Sequence, residues 1–245
     1  MTQSDSINSL AREMASARSL VVITGAGVSA ESGISTFRGA GGYWNRFRAE
    51  ELASPQGFAR DPELVWRWYD ARRRQILAAE PNPGHAAIAA LEGMFEDFLL
   101  ITQNVDGLHR VAGSRQLLEI HGSIWRVRCT RSGEEWENRQ VYQDFPPRCC
   151  CGALLRPAVL WFGENYDPQL FNRALAAASK AEFILVAGTS GRVWIVSGLI
   201  DAAPGAKVAE FNLEATETGQ QADYLILGPS GQTLPRLVEQ LKVNS

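Results

Sequence analysis

Six short apolar runs punctuate the chain: Ser19–Thr24, Asp97–Thr102, Leu117–Ile120, Phe183–Ala187, Lys207–Phe211 and Tyr224–Leu227. Most are continuously apolar, the pattern of strands covered on both faces of a parallel sheet. Between them lie segments with helical spacing, near residues 6–17, 84–92, 168–180, 192–202 and 234–242. This alternation predicts an α/β fold with a Rossmann-like, doubly wound parallel sheet. Two stretches break the rhythm. Residues 39–82 carry a glycine-rich loop and then a helical run dense in aromatics and arginines, and residues 125–157 carry all four cysteines. Both are expected to leave the sheet and form a smaller inserted domain, with the large domain made of 1–38, 83–124 and 158–245.

Composition narrows the class. Of 245 residues, 45% are hydrophobic and 21% charged, which is ordinary for a globular enzyme. The net charge of −3 argues against nucleic-acid binding through bulk charge. No apolar run reaches the roughly 18 residues that span a bilayer. The N-terminus reads as a polar helix, not a signal peptide. A cytoplasmic monomer without membrane or nucleic-acid partners is the expectation. Three of the four cysteines, Cys149, Cys150 and Cys151, are contiguous, so a disulfide framework is not expected.

The first candidate chemistry follows the first strand. Gly25-Ala26-Gly27-Val28-Ser29-Ala30 fits the glycine pattern of a dinucleotide-binding turn, which brings backbone close to a diphosphate. A hydride-using dehydrogenase should next show a second strand ending in an acid about 20 residues on. The next residues instead read ESGISTFRGAGGYWNRFRAE, with no strand. Thr36, Phe37, Arg38 and the run Gly39–Gly42 could close over a nicotinamide ribose. The dinucleotide is therefore expected to be consumed rather than used as a hydride carrier.

Six stretches carry a resemblance to one family: GAGVSAESGISTFRGAGGYW (25–44), TQNVDGLHR (102–110), HGS (121–123), LLRPAVLWFGE (154–164), GTS (188–190) and NLE (212–214). Their content and order resemble sirtuins, in particular the bacterial desuccinylase and demalonylase class. The resemblance covers nearly the whole chain. It implies an NAD-dependent protein deacylase that spends NAD as co-substrate, giving nicotinamide, free lysine and O-acyl-ADP-ribose. It also implies a small domain built of a helical and a zinc-ribbon-like module, and acylated-lysine proteins or peptides as partners. Alternative readings on the same scaffold are an NAD hydrolase or ADP-ribosyltransferase, and a catalytically silent NAD-binding module.

Site residues follow by position. His121 follows the third strand, at the sheet edge where such folds bind ligands, and a near-neutral imidazole suits a general base. His85 and His109 read as structural. By resemblance, Asn104 and Asp106 support cleavage of NAD beside His121. NAD contacts are implied for Gly25, Ala26, Gly27, Ser29, Glu31, Thr36, Phe37, Arg38, Gln103, Asn104 and Asp106. Gly188, Thr189, Ser190, Asn212, Leu213 and Glu214 complete that set on the adenosine side.

Tyr69 and Arg72 stand three apart in a helical run, so they share one face. A phenol and a guanidinium can together hold a carboxylate, and the family's acidic-acyl members carry this pair. The competing reading makes Arg72 one of a solvated run with Arg73 and Arg74. Trp161, Phe162, Gly163 and Glu164 resemble the segment that pairs with the substrate peptide as an added strand. Sirtuin small domains commonly hold zinc with two Cys-x-x-Cys pairs. Here Cys129, Cys149 and Cys151 could supply three ligands, but Ser132 stands where a fourth cysteine would.

Overall fold

The computed structural model describes residues 3–36 and 49–244. Phe37, Arg38 and the run Gly39–Gly42 lie outside the described residues. The N-terminal segment forms α1 (Gln3–Met14) and leads into β1 (Ser19–Thr24) and the five-residue α2 (Ala26–Ala30). The first insertion holds α3 (Ala49–Leu52), α4 (Pro55–Arg60) and α5 (Pro62–Leu77). The main sheet resumes with α6 (Pro83–Glu92), β2 (Asp97–Thr102), α7 (Leu108–Val111) and β3 (Leu117–Glu119). Next come β4 (Gly122–Cys129), β5 (Glu135–Glu137) and β6 (Leu155–Val159). The chain closes with α8 (Pro168–Ala178), β7 (Phe183–Ala187), α9 (Trp194–Asp201), β8 (Lys207–Asn212), β9 (Tyr224–Leu227) and α10 (Ser230–Asn244).

Six strands form one parallel sheet in the order β3-β2-β1-β7-β8-β9. They coincide with the six apolar runs to within a residue. The reason is visible in β1. Leu20 and Val22 pack with Ile7, Leu10 and Met14 of α1, Ile88 and Leu91 of α6, and Leu234 and Leu237 of α10. Val21 and Ile23 pack with Ala174 and Ala178 of α8 and Ile195, Val196 and Leu199 of α9. Both faces are covered, so alternate positions are equally apolar and the run is continuous. The strand order reverses between β1 and β7, and that crevice is where such sheets bind ligands.

α10 begins four residues before the helix expected at 234, because Pro229 caps its first turn through the N–H groups of Gln232 and Thr233. The smaller unit is a three-stranded antiparallel sheet, β5-β4-β6, packed with α3, α4 and α5. The boundaries expected at 124/125 and 157/158 fall inside β4 and β6, since these strands pair with each other from Gly122–Val159 onward. Both insertions share one core. Leu52, Phe58, Val65, Trp66 and Ile76 pack with Ile124, Val127, Leu155 and Val159. Trp66 Nε1 donates to the Leu155 carbonyl at 2.6 Å, and Arg73 Nε to the Ile124 carbonyl at 2.9 Å.

Candidate active site

The turn after β1 is pressed against the turn after β7. Gly25 N–H donates to Ala187 O at 3.0 Å and Gly27 N–H to Gly188 O at 2.7 Å. A Cβ at Gly25 or Gly27 would lie within 2.9 Å of the Gly188–Thr189 backbone. Gly188 has φ +59, and a Cβ there would lie 2.3 Å from Val28 N. The glycines are thus required by contact between two turns, before any ligand is considered.

Behind that turn lies a buried polar network. Ser29 Oγ donates to Asp106 Oδ2 at 2.8 Å and accepts from Asn104 Nδ2 at 3.1 Å. Asn104 Nδ2 also donates to Gly25 O at 3.1 Å. Asp106 is oriented by Leu108 N–H on Oδ1 and by Trp125 Nε1 on its carbonyl. Burial pushes the Asp106 carboxyl up, and its donors and the Arg72 charge push it back down. Gln103 N–H donates to Thr24 O at 2.9 Å and its side-chain amide to Thr189 Oγ1 at 3.2 Å. The ends of β1, β2 and β7 are thereby joined by polar side chains.

His85 and His109 back this network. His85 Nδ1 accepts Asn82 N–H at 3.3 Å, closing the capping box of α6, so its Nε2–H donates to Ser29 Oγ at 3.3 Å. His109 Nε2 reaches Thr24 Oγ1 at 3.0 Å, and the two imidazoles lie 4.7 Å apart. Burial lowers His85 to about 4 and His109 to about 3, so both are neutral at pH 7. His85 is structural as expected, yet its partner is a site residue, which the motif alone did not reveal.

His121 follows β3. Its Nδ1 lies 3.1 Å from the Gln103 carbonyl, which can only accept, so Nδ1 carries the proton and Nε2 is the lone pair. Burial lowers the ring to about 4, partly countered by that carbonyl. The imidazole can therefore accept a proton at Nε2 throughout the neutral range.

Arg72 and Tyr69 are both buried on α5, and Arg73 is buried more deeply. Only Arg74 of the run is largely in solvent, paired with Asp70 at 2.8 Å. The solvated-run reading is overturned. A small cavity is lined by Arg72 together with Ala26, Ser29, Asn104 and Asp106. Trp161 Nε1 donates to the Tyr69 hydroxyl at 2.9 Å, which leaves the phenol's own proton to be donated. Burial pushes Tyr69 up to about 12, so it stays a phenol.

Other expected positions divide. Asn212 Nδ2 donates to Thr189 O at 2.7 Å, which places it beside the β7 turn, and Leu213 is exposed next to it. Glu214 and Ser190 are exposed, and Thr36 ends the first described segment. Glu31 is not brought to the turn: its carboxylate accepts Gly231 N–H at 2.8 Å in the first turn of α10. Trp161–Glu164 forms a turn, closed by Glu164 N–H on Trp161 O at 3.0 Å. Glu164 is also committed to Arg156 by two contacts of 2.5 and 3.0 Å, and Trp161 is buried while Phe162 is exposed. Sequence reasoning missed Glu210. Its carboxylate is buried in β8, where it accepts from Asn212 and Thr216. An acid inside the apolar run Lys207–Phe211 was the available signal.

Cys129, Cys149 and Cys151 place their sulfurs within 4.8 Å of one another. Hydrogen bonds from Ser132 lower the Cys129 thiol to about 6. Three convergent thiols fit a structural zinc, with the fourth position not supplied by cysteine. Cys150 is exposed and is not among the three.

Comparison with known proteins finds relatives of the same fold. A family model described as Sir2 family matches residues 25–194. An NAD-dependent protein deacylase 2 from Pyrobaculum aerophilum is 50% identical over 232 residues, covering 94% of this chain and 93% of that protein. The crystal structure of a Sir2 homologue–NAD complex matches with a TM-score of 0.90 at 45% identity, covering 97% of this chain and 94% of that one. A mutant Sir2 homologue bound to 2′-O-acetyl ADP ribose matches with a TM-score of 0.91 at 44% identity and 97% coverage of both chains.

Proposed function

The chain belongs to the Sir2 family, and from that premise we propose how its residues divide the work. It is an NAD-dependent protein-lysine deacylase that consumes NAD as co-substrate. In our reading the turn at Gly25–Ser29 takes the diphosphate side, and the facing turn at Gly188–Ser190, with Asn212, Leu213 and Glu214, takes the adenosine side. Asn104 and Asp106 hold the nicotinamide ribose in a fixed, dry frame, so little reorganisation is needed as charge develops at C1′. The acyl-lysine amide oxygen attacks C1′ as nicotinamide leaves. His121 Nε2 then takes the proton of a ribose hydroxyl. Zinc, where bound by Cys129, Cys149 and Cys151, supplies structure to the small sheet and no chemistry.

We further propose a preference for acidic acyl groups, succinyl or malonyl, with acetyl also accepted. One observation carries this reading: the buried guanidinium of Arg72 lines the same cavity as Asn104 and Asp106. A carboxylate delivered there gains a bidentate, charge-assisted pair, with the Tyr69 proton as a third contact. A methyl group gains neither.

Mass spectrometry with NAD and matched acetyl- and succinyl-lysine peptides tests both levels. Succinyl is expected to be removed faster. Arg72→Met should lower kcat/KM for succinyl by about 10- to 100-fold while sparing acetyl. His121→Ala should abolish both. Faster acetyl removal, unchanged in Arg72→Met, would remove the acyl reading and leave the deacylase. NAD cleavage without any peptide reaction would instead indicate a hydrolase or transferase.

A further inference from the structure

Tyr166 lies between the Glu164 turn and α8, in no motif that the sequence singled out. Its hydroxyl is 3.3 Å from His121 Nε2, and its ring stacks on the imidazole at 5.7 Å with 25° between planes. The stack continues outward. Phe171 of α8 lies 6.0 Å from Tyr166, and Trp194, which begins α9, lies 5.8 Å from Phe171. Trp194 is 61% exposed. A row of four near-parallel rings thus runs from His121 to the surface.

The direction of the hydrogen bond follows from the tautomer. Nδ1–H is committed to the Gln103 carbonyl, so Nε2 has a lone pair and the phenol must be the donor. At 3.3 Å the contact is long for an O–H donor and cheap to break. Burial raises the phenol's pKa, so the donor keeps its proton. Among the described residues the imidazole's hydrogen-bond contacts are the Gln103 carbonyl and the Tyr166 hydroxyl. Tyr166 is the titratable side chain in contact with it.

Resting on the reading of His121 as general base, we propose that Tyr166 is a positioning residue for that base. Its hydroxyl occupies the Nε2 lone pair in the resting enzyme, holding the productive tautomer and ring angle. It gives up that place to the ribose hydroxyl when the substrates are bound. The aromatic row anchors the Tyr166 ring, so that only the hydroxyl contact has to be exchanged.

The test pairs Tyr166→Phe, which keeps the stack, with wild type labelled with ¹⁵N-histidine. In the ligand-free protein at pH 7, the His121 Nε2 resonance, assigned by its loss in His121→Ala, should move downfield in Tyr166→Phe. The His85 and His109 signals should stay in place. Because a bond donated to the neutral ring of the free enzyme lowers its basicity, its removal should also move the acidic limb of kcat/KM for deacylation upward by about half to one pH unit. An unmoved Nε2 resonance, or an unmoved acidic limb of kcat/KM, overturns the proposal. Should wild type deacylate no peptide at all, the functional reading fails instead, while the resonance still decides the Tyr166 contact.

Discussion

Each of the three histidines has its pKa depressed by burial, to about 4 at His85 and His121 and about 3 at His109. In the unfolded chain each would titrate near 6.5. Between those values the unfolded state binds more protons than the folded state, so stability rises with pH across that window. It is complete above about pH 6.5 and is lost on acidification towards pH 4. Asp106, raised by burial, works in the opposite sense and offsets part of the slope. Urea unfolding midpoints should therefore fall steadily from pH 7 to pH 4.5, and His85→Asn should flatten the fall. A midpoint constant over that range would show that these imidazoles are not buried as the structure has them. The roles of His85 and Tyr166 were not legible in the sequence. Their partners, Ser29 and His121, lie 56 and 45 residues away, and the side chains meet only once the sheet has formed.

Among elements, the paired turns after β1 and β7 set the tightest constraint. Gly188→Ala adds left-handed backbone strain and also drives a methyl into Val28 N. It should cost on the order of 3 kcal/mol and weaken NAD binding, since it separates the two turns. Gly133→Ala provides the comparison: φ there is +74, but the added methyl meets nothing within 4 Å. That variant carries the backbone strain alone and should cost about 1 kcal/mol with NAD binding intact. Equal losses in stability and affinity for the two variants would mean that the close approach is unimportant. The central strands β1, β2 and β7 were readable because burial on both faces writes a continuous apolar run. The small sheet wrote no such signal. β4 alternates buried residues with exposed Arg126 and part-buried Arg128, its register with β6 shifts between Ser123 and Val127, and β5 is only three residues long.

For the molecule as a whole, the sequence separates the two insertions by more than forty residues, and the structure fuses them. Trp66 is the central piece. It is fully buried, bonds to Leu155 of β6, and meets Tyr142 edge-on at 5.3 Å. The large sheet has its own two cores, neither of which contains Trp66. Trp66→Ala should therefore remove about 3–5 kcal/mol from the shared core. It should do so without directly touching the helices over β1, β2, β7 and β8. Hydrogen exchange would read this as lost protection in α5, β4 and β6, with the central parallel strands still slow. Because Arg72 is carried on α5, acyl discrimination should fall further than NAD affinity in the same variant. A uniform loss of protection through both units would show instead that the enzyme unfolds as one cooperative body. In that case the small unit would not be an insertion tolerated by an independent sheet, but part of what holds the NAD crevice in shape.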